Sequence, residues 1–154
     1  MGLLQPLGSI ESVATCVGRA VLDCRAALVV VVTRAGAASR LLSKYRPSVP
    51  VMVVTWSPAV ARHTAARFAQ YSMLMDGDSP YDGPVAAAAA ATAGGGSAED
   101  MSRRLVDAGG AVDQALYRAK ALSLFESRFA AHPVVVMVED PAGRASLSFT
   151  YTNS

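Results

Sequence analysis

Residues 28–55 read LVVVVTRAGAASRLLSKYRPSVPVMVVT: a buried strand, a Gly-containing loop, a short helix, Tyr45-Arg46-Pro47, and a second buried strand. The valines at 29–32, bounded by Thr33 and followed by Gly36, suit a parallel strand covered on both faces, which does not alternate because neither side meets water. Residues 51–55 are built the same way. A parallel pair needs a crossover, so 39–45 reads as the connecting helix and 45–50 as its exit turn. The unit is a βαβ cradle, and its loop at 33–39 lies where an open parallel sheet collects ligands.

Around this unit the chain alternates helix and strand signals. Ser9 is a candidate N-cap with Glu11 in the first turn, and Val13, Cys16, Val17, Ala20, Val21 and Cys24 recur at helical spacing to about Ala26, which predicts an amphipathic helix covering the sheet. Ser57-Pro58 supplies an N-cap followed by Pro at the first helical position, with Val60, Thr64 and Phe68 on the expected buried side. A short strand follows at 72–75. From about Ala98, Leu105, Val112, Leu116 and Ala119 repeat with helical period to near Arg128, with Gly109-Gly110 as a kink or break. Residues 134–138 read as another buried strand. After the turn Pro141-Ala142-Gly143, Leu147, Phe149 and Tyr151 alternate with Ser146, Ser148 and Thr150 as a half-exposed antiparallel return. The expected fold class is α/β: three layers, with a mixed, mostly parallel five-stranded sheet ending in an antiparallel C-terminal edge strand.

The domain organisation is a lead at 1–8, read as partly a cloning remnant, then a single domain over 9–154 carrying an insertion at 76–97. That insertion is low-complexity: Asp, Gly and Pro, then an alanine run, then Gly94-Gly95-Gly96-Ser97. It reads as a loop, because alanines alone offer little to bury. The triple glycine is not a nucleotide fingerprint, since no strand runs into it with Gly-x-Gly-x-x-Gly spacing.

A chain of 154 residues with 52% hydrophobic content and mean hydropathy +0.31 supports one real core. Its apolar runs fall well short of the ~20 residues a membrane span needs, and no charged-then-apolar leader opens it, so a soluble, cytoplasmic protein with no membrane partner is expected. Fourteen basic against 12 acidic residues leave +2. No Lys/Arg stripe interleaves with aromatics, which argues against nucleic acid. Cys16 and Cys24 lie too far apart along one helix for a disulfide and are expected as core thiols; His63 and His132 lack metal-ligand spacing, so no metal is expected. Acid pairs occur at Glu99-Asp100, where they suit a helix start, and at Glu139-Asp140, but no nucleophile elbow, zinc motif or acid pair of the phosphoacceptor kind points to catalysis by this chain alone.

The run Thr33-Arg34-Ala35-Gly36-Ala37-Ala38-Ser39, then Leu41 to Pro47 ending in Tyr-Arg-Pro, then Pro50 to Thr55, resembles the carboxy-terminal domain of pyruvate kinases. Glu11-Ser12-Val13-Ala14 upstream and Ala61-Arg62 downstream resemble that family's neighbouring helices, so the resemblance covers roughly residues 11–75. In the family the loop reads Thr-x-Ser/Thr-Gly-Arg-Ser/Thr and holds a phosphate of a sugar bisphosphate effector. The resemblance makes Thr33, Arg34, Gly36, Ser39 and Arg40 the candidate phosphate-binding residues. Thr33 and Gly36 are kept, but Ala35, Ala37 and Ala38 stand where hydroxyls and an arginine belong. Each missing charge-assisted bond is worth about 1.5–3 kcal/mol, so the loop is expected to bind a sugar phosphate weakly.

The family's second effector segment, a Gly-rich turn before the last strand, falls near 139–145. It makes Gly143 and Arg144 candidates, with Arg103 or Arg104 reaching in from the preceding helix. Glu139 and Asp140 place negative charge there. The resemblance further implies a regulatory and oligomerisation role, self-association through the C-terminal edge strand, and no cofactor in this chain. Magnesium and potassium, with the transfer of a phosphoryl group from phosphoenolpyruvate to ADP, belong to the family's barrel domain. Two alternatives stand beside it: a stand-alone small-ligand-binding or minor enzymatic α/β protein, and a degenerate regulatory subunit of an active pyruvate kinase.

Overall fold

The computed structural model describes residues 9–77, 79, 110–122, 132–139 and 145–151. Its valine runs form the middle of a single sheet. Strand β1 (Leu28–Val32) pairs in parallel with β2 (Val51–Thr55) on one side and with β4 (Pro133–Glu139) on the other. Strand β3 (Gln70–Leu74) extends the β2 side in parallel, and β5 (Ala145–Tyr151) closes the β4 side antiparallel, giving the order β3-β2-β1-β4-β5. This is the expected mixed, mostly parallel sheet with an antiparallel edge strand.

Side chains leave each strand alternately, so one sheet makes two cores. Val29, Val31, Val51, Val53, Val135 and Met137 pack against α1 (Ser9–Asp23) and α2 (Ala37–Lys44) through Ala14, Val17, Val21, Ala38 and Leu42. On the other face, Val30, Val32, Met52, Val54, Val136 and Val138 meet Ala111, Val112, Ala115 and Ala119 of α4 (Ala111–Ala121). Helix α3 (Pro58–Ala65) lies against β2 and β3. All five residues of β1 are buried, which is why the strand shows no polar alternation.

Helices α1 and α2 clasp each other through the Tyr-Arg-Pro exit. Tyr45 is the C-cap of α2, Arg46 turns the chain with φ +44°, and Pro47 is buried. Lys44 Nζ lies 3.0 Å from Glu11 Oε1, and the Tyr45 hydroxyl donates to the same oxygen at 3.5 Å. The hydrogen bond and charge of Glu11 raise the Lys44 ammonium above its usual pKa. Where α1 crosses, an added Cβ on Gly18 would stand only 3.7 Å from Tyr45 Cβ.

Four local expectations are corrected. Helix α1 stops at Asp23, and both Cys16 and Cys24 are exposed instead of core thiols. The buried stripe runs through Ala14, Val17 and Val21, and Cys16 sits about 100° around the helix from Val17. Helix α3 ends before Phe68, which is 70% exposed and carries the Arg46 guanidinium 5.8 Å from its ring centroid. Strand β3 begins at Gln70, because its register sets Gln70 opposite Val51. The predicted long helix is described only as α4, where Gly110 is the N-cap at φ +65°; Leu105 and the rest of 98–109 lie outside the described residues, as does most of 76–97. The Ser57 cap is present, its side chain accepting from the Val60 amide.

Leu42 is fully buried between α2 and the sheet, so Leu42→Ala should cost about 2–5 kcal/mol in urea unfolding, whereas Phe68→Ala should stay within about 0.5 kcal/mol. Thr64 is buried with no hydrogen-bond partner for its hydroxyl among the described residues. Thr64→Val keeps the shape and removes the unpaired group; a gain of about 1 kcal/mol is expected by the same measurement.

Candidate functional site

From β1 the chain steps outward to β2 and β3, then returns to β4 on the opposite flank of β1. The strand order therefore reverses between β1 and β4. The crevice beyond the carboxyl ends at such a reversal is where open α/β sheets hold ligands. Thr33 leaves β1 at this point. Glu139 ends β4 beside it, because Val32 and Val138 are register partners.

Thr33 is fully buried, and its amide still donates to Val54 O at 3.1 Å, which fixes the residue at the sheet edge. Its hydroxyl accepts the Gly36 amide at 3.0 Å and donates to Glu139 Oε2 at 2.5 Å. The same carboxylate oxygen receives the Ala38 amide at a longer 3.4 Å. Gly36 is the N-cap of α2 at φ +81°, and a Cβ there would meet Val60 Cγ1 at 3.1 Å. Backbone conformation and close approach both demand glycine. A strand end, a left-handed glycine and a helix N-terminus meet here, and two donors, the Thr33 hydroxyl and the Ala38 amide, reach an oxygen anion. The anion they meet is the protein's own.

The other candidates lie as follows. Arg34 and Arg40 are solvent-exposed. Ser39 is fully buried, its hydroxyl donating to Gln70 Oε1 at 3.2 Å and accepting from Arg67 Nη1 at 2.5 Å, while Gln70 Nε2 donates back to the Ser39 carbonyl at 2.8 Å. That closed ring joins α2 to the start of β3. Burial, followed by the charge of Arg40, holds the Arg67 guanidinium below its usual pKa. Arg103, Arg104, Gly143 and Arg144 lie outside the described residues.

Sequence reasoning assigned Glu139 to the second effector segment and missed its place against the first loop. The available signal was an acid ending an otherwise apolar buried strand, where an unpaired carboxylate is too costly to tolerate. Gln70 and Arg67 carried no comparable signal.

Removing the bridging hydroxyl in Thr33→Val should cost about 1–3 kcal/mol, since it leaves the Gly36 amide and Glu139 without their shared partner. Gly36→Ala should destabilise by at least about 1 kcal/mol through φ and the Val60 contact. Denaturant titration of both variants checks these values.

The family of the pyruvate kinase alpha/beta domain matches residues 11–82. Among curated relatives, the pyruvate kinase of Hypocrea jecorina is 36% identical over 76 residues, which is 49% of this chain and 14% of that protein. The Dictyostelium discoideum pyruvate kinase is 39% identical over 66 residues, 42% of this chain and 13% of that protein. The chain thus spans only about a seventh of the length of these relatives. Among solved structures, a pyruvate kinase from Cryptosporidium parvum superposes with TM-score 0.69 at 19% identity, covering 98% of this chain and 24% of that one. Loop, Tyr-Arg-Pro exit and both valine strands fall within the matched residues: over 11–82, a little under half of its length, the chain matches the pyruvate kinase alpha/beta domain in sequence, and over nearly all of it the five-stranded sheet matches in fold.

Proposed function

We propose that the chain serves as a regulatory and oligomerisation domain of the pyruvate kinase type, non-catalytic by itself, whose loop at 33–39 takes a sugar bisphosphate only weakly. The parent reaction, phosphoryl transfer from phosphoenolpyruvate to ADP in the cytosol with magnesium and potassium, is assigned to the family's barrel domain and not to the α/β domain. One observation carries the reading. The loop keeps its anion-cradling backbone, with Gly36 at φ +81°, yet presents Ala35, Ala37 and Ala38 and is already bonded to Glu139.

The oligomerisation half of the proposal draws on β5. It ends the described sheet, so one side of its backbone has no strand partner there, and Phe149 is 49% exposed on it. An edge of this kind suits pairing with its symmetry mate.

Titration calorimetry of the 154-residue chain with fructose 1,6-bisphosphate should give no binding tighter than about 1 mM; micromolar affinity overturns the reading of the loop. Light scattering should show a wild-type dimer that Phe149→Lys dissociates. A wild type that stays monomeric at high concentration, or a dimer indifferent to the lysine, counts against β5.

A further inference from the structure

We propose that the Glu139 carboxylate is the resident anion of the crevice between β1 and β4, a specificity-determining group that bars phosphate-bearing ligands by filling their place. The inference rests on reading 33–39 as an anion cradle and deepens that reading by naming what closes it.

The two described contacts of Glu139 Oε2 come from donors, the Thr33 hydroxyl and the Ala38 amide, so the oxygen is the acceptor in each. The Gly36 amide is drawn into the same cluster through Thr33 Oγ1. These amides belong to the N-cap and first turn of α2, where partial positive charge collects and a negative group is favoured. The first turn of α2 has no acid of its own. Glu139 supplies one across 101 residues of chain.

Glu139 is 5% exposed and Thr33 is fully buried, so this is an interior residue held by its partners and not a surface acid. Its place follows from register: Val138 lies opposite Val32, and the next residue of each strand faces the crevice mouth. An incoming phosphate would meet the donors already engaged and a like charge at contact distance. A tethered anion also binds without the translational loss that a free ligand suffers. The first turn of α2 is therefore held in its ligand-cradling arrangement without any ligand.

The test is anion rescue in the 154-residue chain. Thermal melting of wild type and Glu139→Ala is compared in sodium chloride, sodium formate and sodium phosphate at equal ionic strength. Wild type should differ among the three only by the general, non-saturating stabilisation that phosphate gives any folded chain, and the variant is read relative to it. Glu139→Ala should melt roughly 5 °C lower in chloride and recover at least half of that loss in formate or phosphate. Should Glu139→Ala not fold in any salt, Glu139→Thr, whose β-branched side chain suits a strand end, carries the same comparison. A variant that ranks the three salts as wild type does overturns the role of Glu139 and leaves the weak-effector reading standing. A wild type that phosphate raises saturably, at millimolar concentrations too low for its general salting effect, reveals an open anion site and overturns both.

Discussion

Strand β1 has a parallel neighbour on each edge and a helical layer on each face, and every one of its five residues is buried. No polar side chain can be placed on it without a partner, so its chemistry is displaced to the first residue past its end. That residue is Thr33, still tied to β2 through its amide. Strand β2 ends alike: the Met75 amide donates to the Thr55 carbonyl at 2.8 Å, and the Thr55 hydroxyl receives the Ser57 amide at 3.2 Å. In both cases a threonine at the strand end turns its hydroxyl onto the following backbone and starts the path into a helix. The position of α2, the left-handed Gly36 and the crevice mouth all follow from the point at which β1 stops being buried.

The crevice so formed has the backbone chemistry of an anion site and is closed by a carboxylate from β4. A strand end, a left-handed glycine and free amides make a generic cradle, and the partner that fills it decides what the cradle does. A phosphate brought from solution would link ligand concentration to the order of α2. A glutamate carried by the neighbouring strand makes that order a property of the fold.

Sequence similarity to pyruvate kinases is concentrated in residues 11–82, from the first turn of α1 to just past β3, whereas the structural match spans 98% of the chain at 19% identity. The contrast has a physical basis. The region from α1 to β3 includes the loop, the glycine and the Tyr-Arg-Pro exit, whose backbone angles and close approaches admit few residues. Up to Val138, strand β4 needs only apolar side chains in register with β1, and many sequences meet that requirement.

The order of strands and helices, the burial of the two valine runs, the Ser57 cap and the antiparallel return at β5 were legible in the sequence. Each rests on local periodicity or on turn chemistry within a few residues. The exposure of Cys16, the termination of α3 before Phe68 and the start of β3 at Gln70 were not, since a stripe one residue wider or a strand two residues longer satisfies the same local pattern. Ser39 looked like a loop hydroxyl until folding brought Arg67 and Gln70 to it. Sequence by itself determined the cradle, because a glycine between a buried strand and a helix can be read locally. Only the tertiary structure decided what occupies it, because Thr33 and Glu139 are 106 residues apart and meet solely through the parallel pairing of β1 with β4.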